Sequence, residues 1–345
     1  MSLIRFAAEE TPGLVSVVIP TRNGERFIAE TLDSIGRQTY PHWEVIVVED
    51  GSTGPTEQIV ADFAQRHPWN RVSYTRNETN FGASYSRNVA FAQAAGQYVA
   101  LLDGDDRWLP DHLASAVEEL QSSAADIVYS TVVMVEDQTG LVLGIWGPDA
   151  NEIAAFPHGL YRRNFVTPSA SVMRRQVLAD VGPWNTSCLY CEDLDFWLRC
   201  VAAGKTFRLV GGTHCLYRKN HAGATTQKMC GTSEECAVIA AAHLGLPGLR
   251  QRCCRRSVAK SFARAAGQHA RSKPKWDPSA DASRAPALML QAWKLRPKRV
   301  SYLLLAGWWT LRNALRRRRA ASQVPPVAYQ RMRSATTAAP RRAAA

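Results

Sequence analysis

Two hydrophobic patterns alternate through the first hundred residues. VSVVIP, Val15 to Pro20, is an almost unbroken apolar run ending at a proline, which suits a strand buried on both faces. Glu25 to Gln38 instead spaces Phe27, Ile28, Leu32 and Ile35 at a helical period. WEVIVVED, Trp43 to Asp50, reads as a second buried strand, closed by turn residues from Gly51 to Gly54. A helix from Thr56 to Gln65, a short strand from Arg71 to Tyr74, a helix from Ser84 to Ala95 and a strand from Tyr98 to Leu102 follow. Short strands alternating with helices predict an α/β fold, with a mainly parallel sheet and flanking crossover helices.

Past Pro110 the pattern loosens. A helix to Leu120 and a strand from Asp126 to Val135 are followed by segments broken by glycine and proline to about Phe156. Gln176 to Val181 and Leu194 to Ala202 read as helices, and Thr206 to Val210 as a strand. Beyond Ala222 helical patterns alternate with basic linkers, among them PKWDPSADASRAP, Pro274 to Pro286, expected as a flexible connector. No internal repeat is visible. The chain therefore divides into a short extension (1–13), a body (14–221) and a basic, mostly helical C-terminal region (222–345).

Charge sharpens that division. Before residue 250 there are 19 Lys and Arg against 28 Asp and Glu; from residue 250 onward there are 23 against two, Asp277 and Asp281. A basic tail on an acidic body implies a polyanionic partner, nucleic acid or anionic lipid. Within the tail, Val300 to Leu311 is apolar but short of the roughly 20 residues a spanning helix needs. Basic residues bracket it, so 294–319 is a candidate for lying on an anionic membrane surface. The opening residues carry no long apolar core, and a cytoplasmic protein, peripheral on the cytoplasmic face of the inner membrane, is expected. In that compartment the eight cysteines should be reduced thiols. Cys188 and Cys191 have the spacing of half a zinc site, without a second such pair.

Three polar clusters close the predicted strands: PTRN (Pro20 to Asn23), EDGS (Glu49 to Ser52) and DGDD (Asp103 to Asp106). In an open α/β sheet, ligands bind beyond the carboxyl ends of strands, so these clusters should share one rim. An Asp-Gly-Asp there can hold Mg2+ or Mn2+ through one or two carboxylates, leaving the other positions to water and substrate phosphate. The bland reading of the same residues is a solvated turn. No Gly-x-x-x-x-Gly-Lys-Ser/Thr loop and no Gly-x-Gly-x-x-Gly follow the first strand, which disfavours P-loop enzymes and ordinary dinucleotide enzymes. EDLDFWLR, Glu192 to Arg199, adds acids at the head of an amphipathic helix, where capping alone could account for them.

VSVVIPTRN (Val15 to Asn23), IVVEDGST (Ile46 to Thr53), NFGASYSRN (Asn80 to Asn88), GQYVALLDGDDRWLP (Gly96 to Pro110) and EDLDFWLR, in this order, resemble family 2 glycosyltransferases of the GT-A fold. The resemblance covers roughly residues 14–221. It implies a metal-dependent, inverting transfer of one sugar from a nucleoside diphosphate sugar, with UDP as the expected nucleotide, to a glycan or lipid-linked acceptor. It places Pro20, Thr21 and Asp50 at the uracil, with Arg22, Asn23 and Gly104 lining the donor site. Arg22 stands where many members carry a stacking tyrosine, and Glu49 replaces the first acid of the usual Asp-Asp-Gly-Ser. Arg87 falls at the diphosphate, Asp103 and Asp105 on the metal, and Asp193, beside Glu192, on the catalytic base. His221 of YRKNH (Tyr217 to His221) is a further metal or phosphate candidate. Trp184 and Trp197 read as core aromatics before sugar platforms. There is no Gln-x-x-Arg-Trp after Asp193, which argues against a processive synthase. Acceptor choice is expected in the variable segment 136–190.

Two rivals remain at the level of sequence. A nucleotidyltransferase shares the α/β sheet and metal carboxylates but wants a Gly-rich, basic loop after the first strand, which PTRNGE (Pro20 to Glu25) lacks. A nucleic-acid-binding protein would use the tail but leave all five motifs idle, so nucleic acid is disfavoured as a partner.

Overall fold

The computed structural model describes residues 6, 9–220, 228–246 and 249–322, with side chains to residue 316. Its strands are β1 (Thr11–Thr21), β2 (Trp43–Asp50), β3 (Val72–Asn77), β4 (Gly96–Leu101), β5 (Arg107–Trp108), β6 (Ile127–Glu136), β7 (Val142–Trp146), β8 (Ser171–Arg174) and β9 (Phe207–Lys219). Its helices are α1 (Ile28–Gly36), α2 (Thr56–Arg66), α3 (Ala83–Gln93), α4 (His112–Ser122), α5 (Ala150–Ala154), α6 (Arg175–Val181), α7 (Glu192–Ala202), α8 (Met229–Ala242), α9 (Gln251–Arg271), α10 (Ala285–Leu295) and α11 (Val300–Ser322).

The strands form one sheet in the order β3-β2-β1-β4-β8-β6-β9-β5, with β7 paired to β6. β3, β2, β1 and β4 run parallel, as their doubly buried apolar runs require. From β4 onward antiparallel pairings enter, β4 with β8, β8 with β6 and β5 with β9. Apolar cores fill both faces. Ile28, Leu32, Phe63 and Leu113 cover one, on α1, α2 and α4. Phe91, Trp184, Phe196 and Trp197 cover the other, and Val258, Leu288 and Trp309 from α9 to α11 continue the same core. The described helices of the basic C-terminal region are thus packed onto the body through their apolar sides.

Three expectations change here. Pro274 to Pro286, read as flexible, is tied down: the buried carboxylate of Asp277 accepts from the N–H groups of Cys230 and Ser279. Cys191 and Cys236, read as thiols, form a disulfide. Packing of α8 against the turn before α7 brings their Cα atoms to 5.8 Å across 45 positions, which sequence spacing could not show. Trp309, grouped with the surface-seeking residues, is only 8% exposed and faces the core. No helix among the described residues is long and apolar enough to cross a membrane.

Candidate active site

The chain runs from β1 outward through β2 to β3, then returns to the other side of β1 for β4. That reversal opens a crevice at the carboxyl ends of β1, β2 and β4. PTRN, EDGS and DGDD all end there.

The rim is held by short contacts. Asn23 adopts a left-handed φ of 49°, which asparagine tolerates, and its N–H donates to Ser52 Oγ at 3.0 Å. Glu49 is fully buried; its carboxylate accepts from Ser52 Oγ at 2.5 Å, Thr56 Oγ1 at 2.9 Å and the Tyr74 hydroxyl. Burial first, then that bond to Glu49, pushes the Tyr74 phenol up to about 12. Asp50 accepts from Asn77 Nδ2, Phe81 N and Gly82 N, fixing the loop that leads into α3. Gly51 has a φ of +70°, and a Cβ there would stand 2.4 Å from the Thr79 carbonyl carbon. Gly104 is required for a different reason: a Cβ would lie 2.9 Å from Cβ of Thr21, so β1 and the DGDD turn touch through glycine. Pro20 and Thr21 are buried, whereas Arg22 and Asn23 are exposed at the mouth.

The acids of DGDD are gripped from both sides. Thr31 Oγ1, on α1, donates to the carbonyls of Gly104 and Asp106. Arg218, on β9, reaches them from behind. Its N–H donates to Asp106 Oδ1 at 2.9 Å and its Nε to the Asp105 carbonyl at 2.9 Å. Its two terminal nitrogens bind Asp137 and Glu30. Burial, then the neighbouring charges of Asp105 and Asp103, raises the pKa of Asp106 well above the usual carboxylate range.

Arg87 forms the centre. It lies on α3, 3% exposed, with its guanidinium 4.5 Å from the Trp184 ring centroid. One terminal nitrogen donates to Asp103 Oδ1 at 2.6 Å, the other to Glu192 Oε1 at 2.9 Å. This bridge joins the DGDD turn to the head of α7. Burial raises Asp103, with Arg87 opposing and Asp105 reinforcing the shift. Asp193, the next residue after Glu192, accepts from Leu194 N and from Asn164 Nδ2, both at 2.7 Å. Its carboxyl is raised to about 7, by burial first and by the Glu192 charge second. Tyr217, whose phenol is raised by burial and then by Asp106, Asp103, Asp105 and Asp193, marks the space these acids share.

All expected site residues among those described thus sit along this crevice; His221 lies outside the described residues. Trp184 and Trp197 are core aromatics, 1% and 0% exposed. The sequence reading passed over Thr31, Asn164 and Arg218. Thr31 shares the buried face of α1 with Leu32 and Ile35, and Arg218 sat within the recognised YRKNH. Asn164 carries no local signal.

Among the described residues, no three His, Cys, Asp or Glu side chains gather as a ready-made metal cage. The donor set still suits a hard cation. Asp103 and Asp105 offer carboxylate oxygens whose repulsion a divalent ion would relieve, and Mg2+ and Mn2+ commonly take their other ligands from water and phosphate.

The model of glycosyl transferase family 2 matches residues 16–182. Among curated relatives, EpsE of Bacillus subtilis, described as a putative glycosyltransferase, is 35% identical over 209 residues, 59% of this chain and 72% of EpsE. WfgD of Escherichia coli, a UDP-Glc:α-D-GlcNAc-diphosphoundecaprenol β-1,3-glucosyltransferase, is 29% identical over 126 residues, 36% of this chain and 48% of WfgD. The chain thus spans from about half to less than three quarters of these relatives' own lengths. Among solved structures, residues 1–349 of S. aureus TarS with UDP-GlcNAc align with a TM-score of 0.61 at 21% identity, covering 88% of this chain and 92% of that one. The mannosyltransferase PcManGT of Pyrobaculum calidifontis, with GDP-Man and Mn2+, aligns with a TM-score of 0.55 at 21% identity, covering 86% of each chain. Those two share the fold, and the identity to EpsE carries the rest: built on a GT-A sheet with its acids at the switch point, the chain belongs to glycosyltransferase family 2.

Proposed function

We propose that this glycosyltransferase moves one sugar, with inversion, from a UDP-sugar to a hydroxyl of a glycan or lipid-linked acceptor, using Mn2+ or Mg2+. The observation that carries the reading is the Asp103–Arg87–Glu192 bridge, which sets the DGDD acids and Asp193 in one crevice. Asp193 takes the proton from the acceptor hydroxyl as that oxygen attacks the anomeric carbon. A carboxyl raised to about 7 suits the task, because a base is most effective near the operating pH. Asn164 aims it. The resemblance puts Arg87 at the diphosphate; buried between two carboxylates, it acts first as a strut holding Asp103 and Glu192 in register. Asp103 and Asp105 would hold the cation, which, when bound, offsets the charge building on the departing diphosphate. Pro20, Thr21 and Asp50 frame the base, with Arg22 and Asn23 at the mouth. The bound nucleotides of TarS and PcManGT and the Mn2+ of PcManGT support donor class and metal; WfgD supports a lipid-linked acceptor. Such an acceptor would place the enzyme on the cytoplasmic face of a membrane.

A donor-hydrolysis screen over UDP- and GDP-sugars, with Mn2+, Mg2+ or chelator, tests this. Metal-dependent release of UDP from a UDP-sugar, lost in Asp105→Asn with the fold intact, is the expected result. Metal-independent release, or release from GDP-sugars alone, overturns the donor and cofactor assignment.

A further inference from the structure

α11 is apolar on two opposite faces, and among the described residues only one is covered. Tyr302, Ala306 and Trp309, spaced i, i+4, i+7 and at most 9% exposed, turn one face into the core. Val300, Leu304, Trp308, Leu311 and Leu315, spaced i, i+4, i+8, i+11, i+15, occupy the opposite face and are 51% to 69% exposed. A surface helix normally turns its polar side outward, so a second apolar stripe this long marks an interaction surface.

The charge around the stripe identifies the partner. The Arg312 guanidinium lies 5.2 Å from the Trp308 ring centroid, and Arg316 is exposed one turn further on. Lys298 and Arg299 precede the stripe and are exposed. No acidic residue occurs in α9, α10 or α11. The stripe thus combines exposed leucines, a tryptophan beside an arginine, and flanking cations.

We propose that this outward face of α11 docks on an anionic phospholipid bilayer, the helix lying in the plane of the headgroups. The leucines and Trp308 enter the headgroup–acyl boundary while the arginines and lysines meet lipid phosphates. A second copy is a poorer occupant, because it would bring two cationic faces together. Spanning is excluded for this helix by its charge and the shortness of its apolar run. The acidic body is repelled by the same surface, which leaves α11 as the edge that approaches. Docking itself does not depend on the sugar-transfer reading; only its benefit for a lipid-linked acceptor rests on that reading.

The test is co-sedimentation with phosphatidylcholine vesicles, with and without phosphatidylglycerol, alongside donor hydrolysis. The parent should bind the anionic vesicles and be released by salt. The double variant Leu304→Glu, Trp308→Glu changes exposed positions only and should lose about tenfold or more in binding, with donor hydrolysis unchanged. Arg312→Gln should lose roughly fivefold, the usual worth of one cation at such a surface. Equal binding to neutral and anionic vesicles, or undiminished binding by the double variant, overturns the proposal. So does a dimer on gel filtration that the double variant dissolves while vesicle binding stays the same. Intact vesicle binding in a protein that hydrolyses no sugar nucleotide would leave docking standing and remove the transferase reading instead.

Discussion

Asp193, the base of the proposed transfer, is held in a state that costs stability. Its folded pKa of about 7 lies above the ordinary 3.8, so the folded protein binds this proton more tightly than the unfolded chain does. The ionised form is therefore disfavoured by folding, and that cost grows from about pH 4 until it is complete above pH 7. Asp193→Asn removes it. This variant should be as stable as the parent at acidic pH and more stable at pH 8, measured as a rise in Tm, while turnover falls roughly 10²–10⁴-fold at nearly unchanged donor affinity. Turnover of the parent should rise through about pH 7 as Asp193 deprotonates. Asn164 donates to this carboxylate and so lowers its pKa. Asn164→Ala should shift the acidic limb of the kcat profile to higher pH, a change that simple loss of packing would not produce. An unchanged profile would remove Asn164 from the positioning of the base.

At the scale of elements, the DGDD turn is a loop held, besides the Arg87 bridge, by three supports: α1 through Thr31, β9 through Arg218 and β1 through the contact at Gly104. Arg218→Met would leave the 2%-exposed side chain of Asp137 with Arg26 as its remaining partner and would release the Asp105 carbonyl. Because Arg26 still pairs with Asp137, the loss should fall below the roughly 3–5 kcal/mol of a fully broken buried pair, read as a shift in denaturant midpoint. Gly104→Ala forces Thr21 and the turn apart, at about 1–3 kcal/mol. Calorimetry should show a larger loss of metal-dependent donor binding for Gly104→Ala than the modest stability cost suggests, because the displaced turn carries Asp103 and Asp105. The supports explain what could be read from sequence. β1, β2 and β4 announce themselves because strands buried on both faces must be apolar throughout, and their ends expose the acids. β5, with two residues, and β8, with four, are too short to carry a period and exist because long-range neighbours complete them. β9 was legible only as far as Val210; glycines at 211 and 212 interrupt the apolar pattern that the strand itself runs through. Asn164 gains its meaning only by lying beside a residue 29 positions away.

At the scale of the whole molecule, the C-terminal helices hold the site from a distance. Glu235, on α8, accepts from three successive N–H groups, those of Leu189, Tyr190 and Cys191, in the turn that delivers Glu192 and Asp193. The Cys191–Cys236 disulfide joins the same two segments, and the Tyr161 hydroxyl donates to the His243 carbonyl at the far end of α8. The carboxylate and the disulfide are not equivalent. A disulfide limits separation, whereas Glu235 fixes the direction of three backbone donors, each costly to leave unsatisfied when enclosed. Glu235→Ala should therefore lower kcat at least tenfold, with little change in donor KM, because the donor-binding turns lie on other strands. Cys236→Ser should reduce Tm while leaving kcat within about threefold of the parent, since the three hydrogen bonds that aim α7 survive. Deletion from Val300 onward should spare donor hydrolysis, since α11 packs on α10 rather than on α7. Deletion from Lys228 onward should abolish soluble expression, because it removes Val258, Phe262 and Leu288 from the core cluster that also holds Trp184 and Trp197. If Cys236→Ser and Glu235→Ala lose turnover equally, the covalent tie rather than the carboxylate sets the pose of Asp193.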